Sequence, residues 1–392
     1  MKKVNRHLAI IASGLMMTAA APADLATNDS NQRLMQTPPS GKATKTSDQT
    51  VKIALLLDTS NSMDGLINQA KAQLWDIVNQ FTHARCGDDS RPRLEIALYQ
   101  YGNDHLSAQE GYIQQVLGFS RDLDEISEKL FSLSTNGGEE YCGEVIQTSL
   151  KQLDWGKNPD NLKMIFIAGN EPFDQGRLSY KGAVLYAKEK DVVVNTIFCG
   201  NYEEGIHTHW KDGARLTGGE YMAIDHNRQL VHISTPYDDI IIKLNGKLNK
   251  TYVSYGALGA AKQTQQSAQD ENAMEMEPSV AVKRAVSKSS SLYANESWDL
   301  IDASERPGFS VAKIEKDQLP EGLKEKSRPE IEAFINEKKS ERGKIQAEIQ
   351  SLNAKREAYL LENQKEATKG ELESAMLEAI KKHAAKKDFS WD

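Results

Sequence analysis

The sequence predicts a doubly wound α/β domain, a mostly parallel six-stranded sheet with helices on both faces, followed by a C-terminal α-helical region. Two observations carry this. Between residues 50 and 255, apolar runs of strand length alternate with stretches whose apolar residues recur at helical spacing, the order that builds a parallel sheet covered on both faces. Beyond Pro329 the chain is dense in charge, with sparse apolar residues on a helical seam.

Taken in order, Lys2, Lys3 and Arg6 precede a short apolar core from Leu8 to Met17, and Ala21-Pro22-Ala23 supplies a small-x-small pattern. This predicts a cleavable signal peptide over residues 1–23 and a periplasmic or secreted protein. The apolar core is shorter than the roughly 20 residues a membrane-spanning helix needs, and no later stretch approaches that length. Residues 24–49 are polar, contain Pro38-Pro39 and read as a flexible segment. Val51–Leu57 is nearly all apolar, as in a central strand buried on both faces. A helix follows through Leu66, Ala70, Leu74, Ile77 and Phe81, then strands at 94–101 and 112–117. Those two strands lie too close in sequence for a crossover helix, which predicts an antiparallel edge pair. Helices at 123–131 and 145–153, a strand at 163–168, a helix at 180–190, a strand at 192–198, a helix at 209–216, a strand at 221–224 and a helix at 237–248 complete the domain.

Residues 256–290 have a linker's composition. Residues 291–392 read as a charged helical region ending in a hairpin: one helix runs through Ile331, Ile335, Ile345, Ile349, Leu352 and Tyr359, another through Leu372, Met376, Ile380 and His383, with Lys369-Gly370 as the turn. The first seam also permits self-association as a coiled coil, although Lys338 and Arg342 interrupt it.

The formal charge of −8, from 48 Lys and Arg against 56 Asp and Glu, and the lack of a basic cluster argue against nucleic acid as the main partner. No Gly-x-Gly-x-x-Gly, Gly-Lys-Ser/Thr or Gly-x-Ser-x-Gly pattern occurs, so phosphate cradles and hydrolase elbows lack support. Cys142 and Cys199 are both expected at the carboxyl edge of the sheet, which predicts a disulfide between them. His207 and His209, near Glu203 and Glu204, are a weaker candidate for a zinc site. Asn295-Glu296-Ser297 has the form of a glycosylation site by chance.

The chemistry concentrates after the first strand, at Asp58-Thr59-Ser60-Asn61-Ser62-Met63. One carboxylate and two hydroxyls at alternating positions offer the hard oxygens that Mg²⁺ or Ca²⁺ accepts, and in a doubly wound sheet ligands bind beyond the carboxyl ends of the strands. With the Asn136-Gly137-Gly138 turn and the strand order, this loop resembles the von Willebrand factor A family over Val51 to about Tyr255. The resemblance implies a metal-ion-dependent adhesion site and a protein-binding, non-catalytic role. It also implies two further ligands, a Thr after the Gly-Gly turn and an Asp after the fourth strand. Here Glu139-Glu140 stands at the first position, and Ala168-Gly169-Asn170-Glu171 at the second.

Two readings follow from these departures. Either the site is degenerate and empty, with Asp58 and Ser60 merely capping the first helix, or it is rewired. In the rewired site Glu139 or Glu140 supplies the missing carboxylate and Asn170 an amide oxygen, so the expected divalent-cation ligands are Asp58, Ser60, Ser62, Glu139, Glu140 and Asn170. The leading functional expectation is an exported interaction protein that binds a protein partner at this face. The alternatives are a structural or envelope component that binds through its C-terminal helices over a metal-free scaffold, and, further off, a metal-dependent hydrolase.

Overall fold

The computed structural model describes residues 46–87, 90–227, 233–363 and 371–391. The expected signal peptide, nearly all of the 24–49 segment and the expected Lys369-Gly370 turn lie outside the described residues. The first part of the chain runs β1 (Thr46–Asp58), α1 (Asp64–Phe81), β2 (Ala84–Cys86), β3 (Arg91–Tyr101), β4 (Ile113–Ser120), α2 (Leu123–Phe131), α3 (Cys142–Gln152), β5 (Leu162–Gly169), α4 (Tyr180–Glu189), β6 (Val193–Cys199), α5 (Tyr202–His207), α6 (Trp210–Arg215), β7 (Tyr221–Ile224) and α7 (Asp238–Asn249). It continues with α8 (Gly259–Met276), α9 (Pro278–Lys288), α10 (Leu300–Ala303), α11 (Glu321–Lys324), α12 (Arg328–Asn363), α13 (Glu371–Ala384) and β8 (Phe389–Trp391).

The six-stranded sheet has the order β4-β3-β1-β5-β6-β7. Only β4 is antiparallel, paired with β3 as the short connection between them requires. Central β1 shows why its sequence is nearly all apolar. Ile53, Leu55 and Leu57 face one core with α1 and α2, while Ala54 and Leu56 face a second core with α3 and α4. Asp58, the last residue of β1, pairs with Tyr101 at the carboxyl end of this layer.

The C-terminal third departs from expectation, because residues 256–290 are not a linker. They form α8 and α9, and α9 buries Val280, Val282, Ala285 and Val286 in the main core. The linker-like composition of α8 arises because its buried face is polar. Gln266 donates to the Tyr293 hydroxyl at 2.9 Å, and Gln269 accepts from Ser127 at 2.9 Å. Hydrogen bonds replace the apolar stripe that periodicity detects.

The helical hairpin packed on itself is not found either. The main contacts of α12 are with α7 and α9, and those of α13 are with α1 and strands β5 to β7. The α12 seam is used within the chain: Ile331 and Ile335 pack with Leu300, Ile301 and Leu323, while Ile345 and Ile349 join the main core. Arg342, the interruption in that seam, is buried and pairs with Asp299 at 2.7 Å. A coiled coil between copies would therefore have to strip α12 from its own body. Leu372, Met376, Ala379 and Ile380 of α13 complete the core beside α1, and β8 pairs antiparallel with β2. The boundary expected at 255 thus cuts through a shared core, since each such Leu, Ile or Met contributes about 1.5–3 kcal/mol by burial. Among the described residues no helix is long and apolar enough to cross a membrane.

Candidate metal centre

The loop after β1 is held open by its neighbours. The Thr59 amide donates to the Tyr101 carbonyl at 2.9 Å, and the Thr59 carbonyl accepts from the Asn136 amide at 2.9 Å. The Asn103 side chain bridges this loop to the next, donating to the Ser134 carbonyl at 2.9 Å and accepting from the His105 amide at 3.0 Å. Asp58 Oδ1 accepts from the Ser60 amide at 2.7 Å, which turns the chain toward the 3₁₀ turn Asn61–Met63 ahead of α1.

The capping reading does not describe this loop. Ser60 flanks the 3₁₀ turn without a side-chain cap hydrogen bond, and Met63 occupies the cap position of α1. Asp58 Oδ2 and Ser60 Oγ are buried and have no hydrogen-bond partner.

Of the two glutamates after the Gly-Gly turn, Glu140 is the one brought to Asp58. It is 3% exposed, whereas Glu139 is exposed at the surface. Burial raises the Glu140 carboxyl far above the usual range, and the adjacent Asp58 carboxyl raises it further. Asp58 is also raised, chiefly by burial, against the lowering effect of its contacts with Glu140 and Ser60. Two glycines make the approach possible. Gly102 lies at φ +76°, where a Cβ would meet Glu140 Cγ at 2.8 Å and Asp58 Oδ1 at 2.9 Å. At Gly138 a Cβ would collide with the Gly102 carbonyl oxygen at 2.7 Å.

Asn170 is half-buried and its Oδ1 lacks a partner, while Ser62 is exposed on the 3₁₀ turn. Glu171 adds negative charge that raises both carboxyls, and its own Oε2 accepts from Gln175 at 3.0 Å. Unpartnered oxygens therefore remain on Asp58, Ser60, Glu140 and Asn170. Buried oxygens without hydrogen-bond donors, two of them on carboxyls, fit the hard-oxygen chemistry of Mg²⁺ or Ca²⁺.

Gly169 explains the missing aspartate. A Cβ there would lie 2.5 Å from the Tyr101 hydroxyl and 3.0 Å from Asp58 Oδ2. Tyr101 is fully buried and donates to the Ala168 carbonyl at 3.0 Å, so it fills the space a side chain at 169 would need. Tyr101, Gly102 and Asn103 were not among the residues singled out from the sequence. Their signal is a Tyr-Gly-Asn run directly after a strand next to β1.

The expected Cys142–Cys199 disulfide is absent. Both cysteines are free and buried, and the Cys142 thiol instead donates to the Tyr101 hydroxyl at 3.8 Å. The histidine candidate also fails to assemble, since His209 Nε2 sits 3.7 Å from Asp174 and its ring stacks on Tyr180. Among the described residues no group of three or more His, Cys, Asp or Glu side chains is arranged to hold a metal ion. The Asp58 cluster is of a different kind, two carboxyls supplemented by hydroxyl and amide oxygens.

A mostly parallel sheet flanked on both faces, with its polar loops gathered at the carboxyl edge of β1, defines an A-type fold. Residues 52–206 match the profile of the von Willebrand factor type A domain, and this part of the chain is a domain of that family. No curated protein matches the sequence. Similar solved structures include proximal thread matrix protein 1 from the mussel byssus with a zinc-occupied MIDAS motif, at 14% identity and TM-score 0.36, covering 46% of this chain and 43% of that one. Others are BatB from Bacteroides thetaiotaomicron, at 16% identity and TM-score 0.34 over 45% and 90% of the two chains, and the pilus adhesin SpaC from Lactobacillus rhamnosus GG, at 14% identity and TM-score 0.35 over 46% and 29%. This chain spans less than half of the mussel protein it matches.

Proposed function

We propose that this chain is a non-catalytic, exported binding protein whose A-type domain takes a divalent cation, Mg²⁺ or Ca²⁺, at the Asp58 loop and engages a protein partner there. The observation that carries the reading is the set of unpartnered buried oxygens on Asp58, Ser60, Glu140 and Asn170. Export rests on the Lys2-to-Ala23 pattern alone.

Asp58, Ser60 and Glu140 would hold the ion from the buried side, with Asn170 and the exposed Ser62 on the outer side. A bound cation supplies positive charge to two carboxyls that otherwise repel one another, together with a position able to take a partner's oxygen. Glu140 does what a neutral Thr would not. It brings the second carboxylate, for which Gly169 has no room, so the site is balanced from within and is a weaker trap for an acidic residue of a partner. A partner offering neutral oxygens, carbonyls or hydroxyls, suits it better. The reading in which the C-terminal helices do the binding has less support, because the α12 and α13 seams are spent on the chain's own core.

Thermal melts of metal-stripped protein test the proposal. Millimolar Mg²⁺ or Ca²⁺ should raise the midpoint, since a ligand bound at 100 times its Kd stabilises the folded state by about 2.7 kcal/mol. Asp58→Asn and Glu140→Gln should each abolish the rise. A melt indifferent to both cations would overturn the reading.

A further inference from the structure

We propose a second, anion-binding site at the opposite edge of the sheet, a cleft that accepts a phosphate group, free or as a small monoester. It is lined by Arg91 and Arg93 at the start of β3, Arg121 after β4, and Ser291 and Glu296 from the segment between α9 and α10, and has a volume of about 280 Å³. Because β3 runs parallel to β1 and Tyr101 stands beside Asp58, Arg91 lies about 30 Å from the candidate metal centre at some 3.3 Å per strand residue. The cleft is independent of the function proposed above.

Charge is what marks it. Among the described residues neither Arg91 nor Arg121 forms an ion pair, and Arg91 donates only to the hydroxyl of Ser291. The nearby acids are engaged elsewhere. Asp122 caps α2 and pairs with Lys262 at 2.7 Å, Glu95 pairs with Lys52 at 3.1 Å, and Glu296 pairs with Arg306 at 3.5 Å. In a chain with a net charge of −8, a concave site lined by three guanidinium groups, whose one lining acid, Glu296, is paired with Arg306, is arranged for an anion. Arginine's planar fork of donors matches phosphate oxygens two at a time. The apolar floor of Pro92, Leu94, Leu123 and Leu292 leaves room for a small organic body attached to the phosphate. The two walls come from the A-type domain and from the segment after it, so the site exists only where the chain docks back on itself.

Isothermal titration of the full chain, freed of divalent cations so that the metal centre plays no part, decides the matter at matched ionic strength. Inorganic phosphate and glycerol 3-phosphate should each bind saturably, and the tighter of the two identifies the free or esterified form. Arg91→Gln combined with Arg121→Gln should weaken binding at least tenfold. Arg121→Gln alone changes an exposed residue and should weaken it severalfold in a protein with an unchanged melt. No saturable binding by either compound, wild-type affinity in Arg121→Gln and the double variant, or preference for succinate over phosphate would overturn the assignment.

Discussion

At the carboxyl edge of the sheet Asp58 and Glu140 are buried against each other with an oxygen of each left unpartnered. Beneath α9 Asp270 is half-buried, and it accepts from Arg284 Nε at 2.6 Å, from Lys288 at 2.8 Å and from Asn245 and Asn249 at 3.0 and 2.6 Å. Burial pushes the Asp270 carboxyl up, but Lys288 and Arg284 outweigh it and hold the group below the usual carboxylate range. Asp299 likewise has a cationic partner, Arg342 at 2.7 Å. Buried acids are therefore not in themselves a sign of function in this molecule. The C-terminal helices deliver a cation to Asp270 and to Asp299, whereas no Lys or Arg among the described residues forms an ion pair with Asp58 or Glu140. The first arrangement locks the helices to the domain; the second leaves a charge for a ligand to supply.

The largest effect that would sharpen this contrast is expected at the lock. Asp270→Asn strips Arg284 and Lys288, both at most 1% exposed, of their shared acceptor. Breaking a buried pair by removing one partner costs about 3–5 kcal/mol, read as a lowered midpoint in chemical denaturation. Because the folded-state pKa lies below the unfolded value, the stability Asp270 contributes is present above about pH 4 and is lost as the pH falls below it. The acid limb of the wild-type stability profile should therefore be steeper than that of Asp270→Asn. Equal stability of the two proteins at pH 7 would erase the distinction between lock and site.

How far the sequence carried this contrast depends on what each region uses for cohesion. The sheet was legible because its six strands, β1 and β3 to β7, and the helices around them other than α5 are held by apolar residues at periods of two and near 3.6, and Leu123–Phe131 was placed to the residue; the short β2 and α5 were not read. The Asp58-x-Ser60-x-Ser62 loop was legible because it follows β1 directly. The C-terminal lock was not. Gln266, Gln269 and Asp270 hide the buried face of α8 inside a linker's composition, and Arg342 reads as a fault in the α12 seam until Asp299 is seen opposite it. Nor does sequence distinguish Glu139 from Glu140. Which of two adjacent glutamates turns inward is decided by the space beside Gly102, a tertiary fact.

A smaller effect probes why the site has no acid after β5. Gly169→Asp places a side chain against a Tyr101 hydroxyl that is fully buried and hydrogen-bonded. Overpacking of this sort costs roughly 1–3 kcal/mol, without any gain in the thermal response to Mg²⁺ or Ca²⁺. Adding Tyr101→Phe removes the atom in conflict and should recover part of the loss. A Gly169→Asp protein as stable as wild type with a larger response to cation would mean that the site tolerates the usual aspartate and that Glu140 is not its replacement.

The smallest effect separates the outer from the inner side of the proposed centre. Ser62 is exposed, so Ser62→Ala should change the stability of metal-stripped protein by no more than about 0.5 kcal/mol, as surface substitutions away from structural contacts do. Ser60, in contrast, is buried with its hydroxyl unpartnered. Ser60→Ala removes a polar atom that is isolated without cation, and should leave the metal-stripped protein as stable as wild type or slightly more so. The pair is informative under titration with Mg²⁺ or Ca²⁺. If both hydroxyls hold the ion, each variant needs a higher cation concentration for the same rise in melting midpoint. If only Ser60→Ala does so, the ion is held by Asp58, Ser60, Glu140 and Asn170 alone and Ser62 faces the partner. A Ser60→Ala protein whose cation response matches wild type would break the comparison at its root, because the unpartnered hydroxyl would then be a packing feature and not a ligand.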